Sequence, residues 1–254
     1  GVSINGPALY GLALNYAHLN QYTLAFTYYN KSYNLNSNDE IFISDMLKTY
    51  LALGIYNETI EIALDFINKG SKNSDFYESR GVAYFLQHNK KDSIENLEKS
   101  IVINPSDPSH HYYASLVYLS NGEFENAETH LTHAINIKDE FETRLAMIVL
   151  SNLTFESNRA DAYSSGWLGF QVNRFHLSML GISLIRLKQY NKAIEIFNLS
   201  LQSIPYYYMP YKGMGIAYIE LGEKEKGFDY LKKAWQLNDK DKEVKYLIDV
   251  MSHK

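Results

Sequence analysis

A tyrosine recurs every 34 residues through the first half of the chain, at Tyr16, Tyr50, Tyr84 and Tyr118. Self-similarity at a fixed period of about 20 to 50 residues is typical of repeat proteins, in which each unit is one supersecondary element. Such units bury their apolar faces by stacking on their neighbours. The period therefore predicts one quasi-linear array of units rather than one or two compact domains.

Other residue types follow the same period and indicate what each unit contains. Small residues precede the tyrosine by three positions, turn-prone residues follow it by four, and aromatic residues follow it by six. The small residues are Ala13, Gly81 and Ser115, the turn-prone ones Asn20, Gly54 and Gly122, and the aromatic ones Tyr22, Tyr56 and Phe124. Small side chains let two helices approach closely, so each unit is predicted to be a helix, a short turn and a second helix.

This pattern resembles the tetratricopeptide repeat family, most clearly in the later units. One unit carries Leu177, Gly181, Tyr190, Ala193, Phe197 and Pro205 in the family's order, with Leu184 where the family has tyrosine. The next unit restores the tyrosine and carries Tyr211, Gly215, Tyr218, Gly222, Leu231 and Ala234. The resemblance implies an all-α, right-handed superhelix of about seven helix pairs, closed by a C-terminal capping helix.

The expected boundaries follow from the period. The predicted repeats are 6–39, 40–73, 74–107, 108–141, 142–173, 174–207 and 208–241, and the capping helix is 242–254. The unit at 142–173 is degenerate, because Tyr118 and Tyr218 are two residues closer than three periods would place them. Its second half is rich in Ser, Gly, Asn and Asp and contains Trp167. This half is either a shortened helix that still stacks or an exposed loop that contacts a partner.

Composition and charge argue against several classes of function. The chain is 46% hydrophobic and 21% charged, which is typical of a folded protein. Its 24 basic and 29 acidic residues give a net charge of -5, which disfavours phosphate-backbone binding, so no nucleic-acid partner is predicted. No apolar run approaches the length of a membrane helix, so no membrane insertion is predicted. The absence of cysteine excludes disulfides and thiolate chemistry.

Candidate catalytic and metal-binding residues are few. His130 and His133 lie three residues apart on a predicted helix, and His110 and His111 lie near the start of the preceding helix. A metal site also needs further ligands at defined positions, and the sequence indicates none. We interpret these histidines as exposed or capping residues, and we predict no metal, no cofactor and no enzymatic activity.

The resemblance implies that one side of each first helix lines a concave groove. At about 100° per residue, the position two before the repeated tyrosine lies on the opposite side of the helix from it. The candidate groove residues at this and neighbouring positions are Tyr10, Leu14, His18, Lys48, Leu51, Val82, Phe85, Tyr112, Leu116, Leu119, Ile182 and Ile216. A stripe this apolar has two explanations. Either a partner covers it, or the superhelix is wound so tightly that the protein's own repeats bury it.

The function that follows is a non-catalytic scaffold or adaptor that binds a peptide or helix of a partner protein in this groove, with Trp167 as a further contact. Two alternatives stay open: a self-associating component of a larger assembly, and a regulatory module cut from a longer enzyme. The chain begins at Gly1 without methionine, which suggests a trimmed N-terminus. The sequence is equally compatible with the cytoplasm and with a bacterial envelope or periplasm.

Overall fold

The computed structural model of this protein describes residues 6–19, 21–33, 39–154, 174–202 and 207–252. Within these ranges the chain forms fourteen α-helices and no β-strand. The helices are α1 Gly6–His18, α2 Tyr22–Tyr33, α3 Glu40–Ala52, α4 Tyr56–Asn68, α5 Ser74–Leu86, α6 Lys90–Ile103, α7 Pro108–Ser120, α8 Phe124–Ile137, α9 Phe141–Leu153, α10 Arg174–Arg186, α11 Tyr190–Leu201, α12 Tyr208–Glu220, α13 Lys224–Leu237 and α14 Lys242–Ser252.

Consecutive helices pack in pairs, and small residues set the closeness of the packing. Six pairs are α1 with α2, α3 with α4, α5 with α6, α7 with α8, α10 with α11, and α12 with α13. A Cβ added at Gly81 would lie 2.6 Å from the Leu97 side chain, and one at Gly215 would lie 2.8 Å from that of Leu231. The recurring small residue is therefore a requirement of close helix contact, as the sequence indicates.

The recurring tyrosine packs against the second helix of its own unit. Tyr16 stacks on Tyr28 with ring centroids 5.3 Å apart, and Tyr218 stacks on Tyr230 at the same distance. Tyr118 stacks in the same way on His130, at 5.4 Å. Each partner follows its tyrosine by twelve residues, so this contact ties the two helices of a unit at a fixed register.

The turns between paired helices share one backbone feature. Gly54, Gly122 and Gly222 have φ values of 76°, 75° and 88°, in the left-handed region that favours glycine. At the corresponding position of other units stand His88 at 64° and Lys188 at 59°. The turn geometry is therefore repeated even where the sequence lacks glycine.

Neighbouring units stack through successive helices, and the last helix covers one end. Helix α2 contacts α3, α4 contacts α5, α6 contacts α7, and α13 contacts α14. The Asp241 carboxylate accepts hydrogen bonds from the Glu243 and Val244 amides, both at 3.0 Å, and so begins α14. Val244 is fully buried, whereas Tyr246 is 65% exposed. The helix thus has one buried and one solvent-facing side, as the predicted cap requires.

The later units return to the earlier ones. The Asn238 side-chain amide donates to the Leu53 carbonyl at 2.7 Å, and the Lys240 ammonium lies 4.0 Å from the Phe26 ring centroid. The rings of Tyr22 and Tyr207 lie 5.4 Å apart. The superhelix is therefore wound tightly enough that its two ends touch.

The degenerate unit is described only in part. Its first helix, α9, lies at Phe141–Leu153, where the sequence predicts one. The predicted contact residue Trp167 and the polar segment around it lie outside the described residues.

Candidate recognition site

The predicted groove residues divide into a buried central group and a more open group. The buried ones are Leu51, Val82, Phe85, Tyr112, Leu116 and Leu119, each at most 3% exposed. Tyr10, Leu14, Ile182 and Ile216 are partly exposed, and His18 and Lys48 are exposed. The more open residues therefore lie on α1 and α3, except for Ile182 and Ile216, which lie on α10 and α12.

Helix α10 covers the central group by packing against α7. The Ser183 hydroxyl donates to the Leu116 carbonyl at 3.2 Å, and the Tyr112 hydroxyl donates to the His176 carbonyl at 2.8 Å. The Arg186 guanidinium donates to the Phe85 carbonyl and lies 4.0 Å from the centroid of that ring. These six side chains are therefore packed under the protein's own helix, which corresponds to the second of the two alternatives that the sequence leaves open.

A cavity remains where the first four units meet α10. Its volume is about 330 Å³. Its lining residues are Leu14, Ala17, His18, Tyr22, Tyr29, Asp45, Lys48, Thr49, Leu51, Ala52, Glu78, Ser109, Tyr113, Phe175 and His176. The structure thus brings together four of the predicted groove residues, namely Leu14, His18, Lys48 and Leu51.

Several lining residues were missed by the sequence reasoning. Glu78 precedes its repeat tyrosine by six positions, as do the predicted residues Tyr10 and Tyr112, so the same periodicity could have identified it. Phe175 and His176 could not be found in this way, since they belong to α10, whose return to the early units depends on superhelical pitch.

Charged groups in and beside the cavity are held by specific contacts. The Lys48 ammonium lies 2.9 Å from an Asp75 carboxylate oxygen, and the Tyr10 hydroxyl donates to Asp45 at 2.7 Å. Burial disfavours the charged form of Lys48, but the neighbouring carboxylates of Glu78 and Asp75 raise its pKa above the usual value. Burial raises the pKa of Glu78, and His110 and Lys48 only partly offset it. The cavity therefore combines apolar walls with a few fixed charges.

His176 forms part of the wall contributed by α10. Burial lowers the pKa of its imidazole to about 4. Its ring lies 4.9 Å from the Tyr112 ring and 5.2 Å from the Tyr113 ring, measured between centroids. At neutral pH the imidazole is therefore uncharged and acts as a packing surface.

The histidines singled out from the sequence fall into two separate environments. His111 Nδ1 lies 3.2 Å from His130 Nδ1, and the His111 ring stacks on that of His133 at 5.1 Å. Burial, together with the neighbouring imidazoles, lowers the pKa of His111 to about 4. His110 lies elsewhere, with its Nδ1 3.0 Å from the Asn104 carbonyl.

Comparison with known proteins agrees with this architecture. Residues 6–39 match the tetratricopeptide repeat family model. A chain of the APC/C hetero-tetramer Cut9-Hcn1 is similar with a TM-score of 0.53 and 17% identity over 91% of this chain, and the match spans 46% of that chain. No curated protein matches the sequence.

Two solved bacterial proteins match over nearly their full length. A tetratricopeptide repeat protein from Parabacteroides merdae has a TM-score of 0.52 and 12% identity, with 97% of this chain and 98% of that chain covered. A thermophilic protein of the same repeat class from Thermus thermophilus has a TM-score of 0.52 and 16% identity, with 85% and 97% covered.

One repeat of the chain thus matches the tetratricopeptide repeat model, and the chain shares the fold of solved tetratricopeptide repeat proteins. The predicted all-α superhelix is confirmed. Proteins with this fold are generally non-catalytic scaffolds for protein–protein interaction. Each helix of the described ranges is too short or too polar to cross a lipid bilayer.

Proposed function

We propose that this protein is a recognition scaffold that binds a segment of a partner polypeptide at the open N-terminal part of its concave face. The observation that carries the proposal is the cavity of about 330 Å³ beside Leu14, His18 and Lys48. Their repeat positions are those at which the family resemblance predicts a groove. The segment is a peptide or helix with apolar side chains.

The size and lining of the cavity fit this role. Ligand pockets have volumes of about 300 to 1,000 Å³ and combine apolar walls with a few polar groups that fix orientation. This cavity is at the lower end of that range, so it accommodates one or two side chains of a longer segment. Leu14 and Leu51 supply apolar contact, and Asp45 and Lys48 supply charges of both signs.

Site-specific photo-crosslinking tests the proposal. A photoreactive phenylalanine analogue placed at Leu14 or His18 should capture a partner protein from the native lysate. The same analogue at the exposed Lys91, on α6, is the matched control and should not capture it. The Leu14→Glu substitution should reduce capture from the His18 position by about tenfold or more, because a charge is placed in an apolar contact.

Two results would contradict this placement. One is equal capture from Lys91 and from the cavity positions. The other is unchanged capture by a folded Leu14→Glu variant.

A second candidate function is self-association through the first helix pair. Leu12, Leu19 and Leu24 are 39%, 58% and 44% exposed. Clustered exposed apolar residues mark interaction surfaces in soluble proteins. Light scattering should then give a molar mass above that of a monomer, and Leu24→Glu should restore the monomer. Val102→Glu is the control, since Val102 is 80% exposed on α6.

A further inference from the structure

Three carboxylates and one histidine meet where α5 and α7 begin. Asp75 and Glu78 belong to the first turns of α5, Asp107 caps α7, and His110 lies in the first turn of α7. The ligand atoms of Asp75, Asp107 and His110 lie within 4.8 Å of one another. Glu78 adds a carboxylate oxygen 3.5 Å from His110 Nε2. These atom types are the oxygen and nitrogen ligands of a divalent cation.

The His110 ring is oriented with its lone pair toward the carboxylates. Its Nδ1 lies 3.0 Å from the Asn104 carbonyl, which can only accept, so Nδ1 carries the hydrogen. Its side chain is fully buried, and its Nε2 has no hydrogen-bond partner. This nitrogen faces Glu78 at 3.5 Å and Asp107 at 4.0 Å. A lone pair opposite two carboxylates is unfavourable unless a proton or a cation lies between them.

A proton shared with Glu78 or a bound metal ion can occupy this place, and the surroundings favour the metal. Metal-binding histidines typically donate their other ring N–H to a backbone carbonyl or carboxylate, as His110 does to Asn104. Histidine with carboxylates is a ligand set for first-row divalent ions. We propose that Asp75, Asp107 and His110 bind a divalent transition-metal ion such as Zn²⁺ or Mn²⁺, with Glu78 as a further oxygen ligand.

The neighbouring contacts are compatible with an entering ion. The Lys48 ammonium now lies 2.9 Å from Asp75, but its side chain is 50% exposed and can turn into solvent when a metal replaces it. The ion can reach the cluster through the cavity, which Lys48, Glu78 and Ser109 line. Because the ligands come from α5 and α7, the metal would join two adjacent units beside the recognition cavity.

Calorimetry on the full chain, treated with a chelator and dialysed, tests this directly. Titration with ZnCl₂ or MnCl₂ should show one ion per chain and a raised melting temperature, since a ligand that binds only the folded state stabilises it. MgCl₂ should bind more weakly, because Mg²⁺ prefers an all-oxygen, largely hydrated site. Co²⁺ should give visible absorption bands that Asp75→Asn diminishes.

Two variants distinguish this site from other sources of metal binding. Asp75→Asn changes a partly exposed ligand without opening the core, and it should weaken binding about tenfold or more. His130→Gln removes a histidine from the separate His111 cluster and should leave affinity unchanged. Absence of binding by the unmodified chain would overturn the proposal in favour of a proton shared between His110 and Glu78. Binding lost in His130→Gln but retained in Asp75→Asn would overturn it as well.

Discussion

His88 and Lys188 occupy a turn position that glycine holds in three other units. Their φ values of 64° and 59° place L-residues in the left-handed region. This conformation costs about 1 to 2 kcal/mol for a residue with a Cβ. The surrounding turn keeps it, since the Lys188 amide donates to the Ile185 carbonyl at 2.9 Å. The geometry of the repeated turn therefore holds these two residues in a backbone conformation that they would otherwise avoid.

The Lys188→Gly substitution should stabilise the protein by about 1 kcal/mol, because it removes the strain at an exposed site. Urea unfolding followed by circular dichroism measures the change. Gly122→Ala is the matched reverse control, since a Cβ there meets no atom within 4 Å and only the φ of 75° opposes it. Gly122→Ala should lower the free energy of unfolding by a similar amount. A loss of stability in Lys188→Gly would contradict the strain account.

His176 should make stability depend on pH. Burial lowers its folded-state pKa to about 4, whereas histidine in the unfolded chain titrates near 6.5. The unfolded state therefore binds more protons between these values. The stabilisation is present above pH 6.5 and is lost as pH falls toward 4.

Between pH 7 and pH 5, His176 alone should reduce the free energy of unfolding by about 1 to 2 kcal/mol. Denaturant unfolding of the unmodified chain and of His176→Gln at both pH values measures its share, since His111 acts equally in both proteins. A pH dependence identical in the two proteins would show that this imidazole is not held neutral in the fold.

At the scale of elements, helix α10 changes the role of the predicted groove residues. Phe85 and Leu116 are 2% and 0% exposed because α10 lies over them. Truncating either to Ala should therefore destabilise the fold by about 2 to 5 kcal/mol. Leu14→Ala, at a partly exposed position, is the control and should cost less. Chemical unfolding measures all three, and intact stability with lost partner capture would instead indicate an open stripe.

The elements themselves were predictable from local periodicity. The tyrosine spacing fixes the phase of each helix pair, and Gly81 and Gly54 identify the close contact and the turn. The covering of Leu116 by Ser183 was not predictable, because it depends on small rotations at every unit interface that add up along the chain. Sequence periodicity reports contacts within and between adjacent units, whereas Arg186 reaches Phe85 across 101 positions.

In the candidate site, too, the sequence predicted the residues that repeat along the chain and missed those brought together by stacking. Leu14, His18, Lys48 and Leu51 were found because they repeat on one helix face. Asp107 and His110 approach Asp75 only through the stacking of α7 on α5, and no spacing of ligands along the sequence indicates this cluster.

At the scale of the whole molecule, contacts between distant units close the superhelix. Within the C-terminal unit, the Lys212 ammonium lies 2.9 Å from Asp241 and 2.6 Å from Glu243, and so positions the Asp241 carboxylate. A Cβ added at Gly54 would lie 2.7 Å from the Tyr208 hydroxyl and 3.3 Å from an Asp241 carboxylate oxygen. The C-terminal unit therefore fits closely against the second, and within the described ranges α10 fills the central part of the concave face.

The distance between the two ends tests this closure most directly. The chain has no cysteine, so spin labels can be attached specifically to Thr27→Cys on α2 and Asp239→Cys before α14. Their neighbours Phe26 and Lys240 are in contact, so electron–electron double resonance should give one short, narrow distance distribution. In an open stack, helices packed about 8 to 10 Å apart would separate the labels by several helix diameters. A broad distribution centred at such long distances would contradict the closed superhelix.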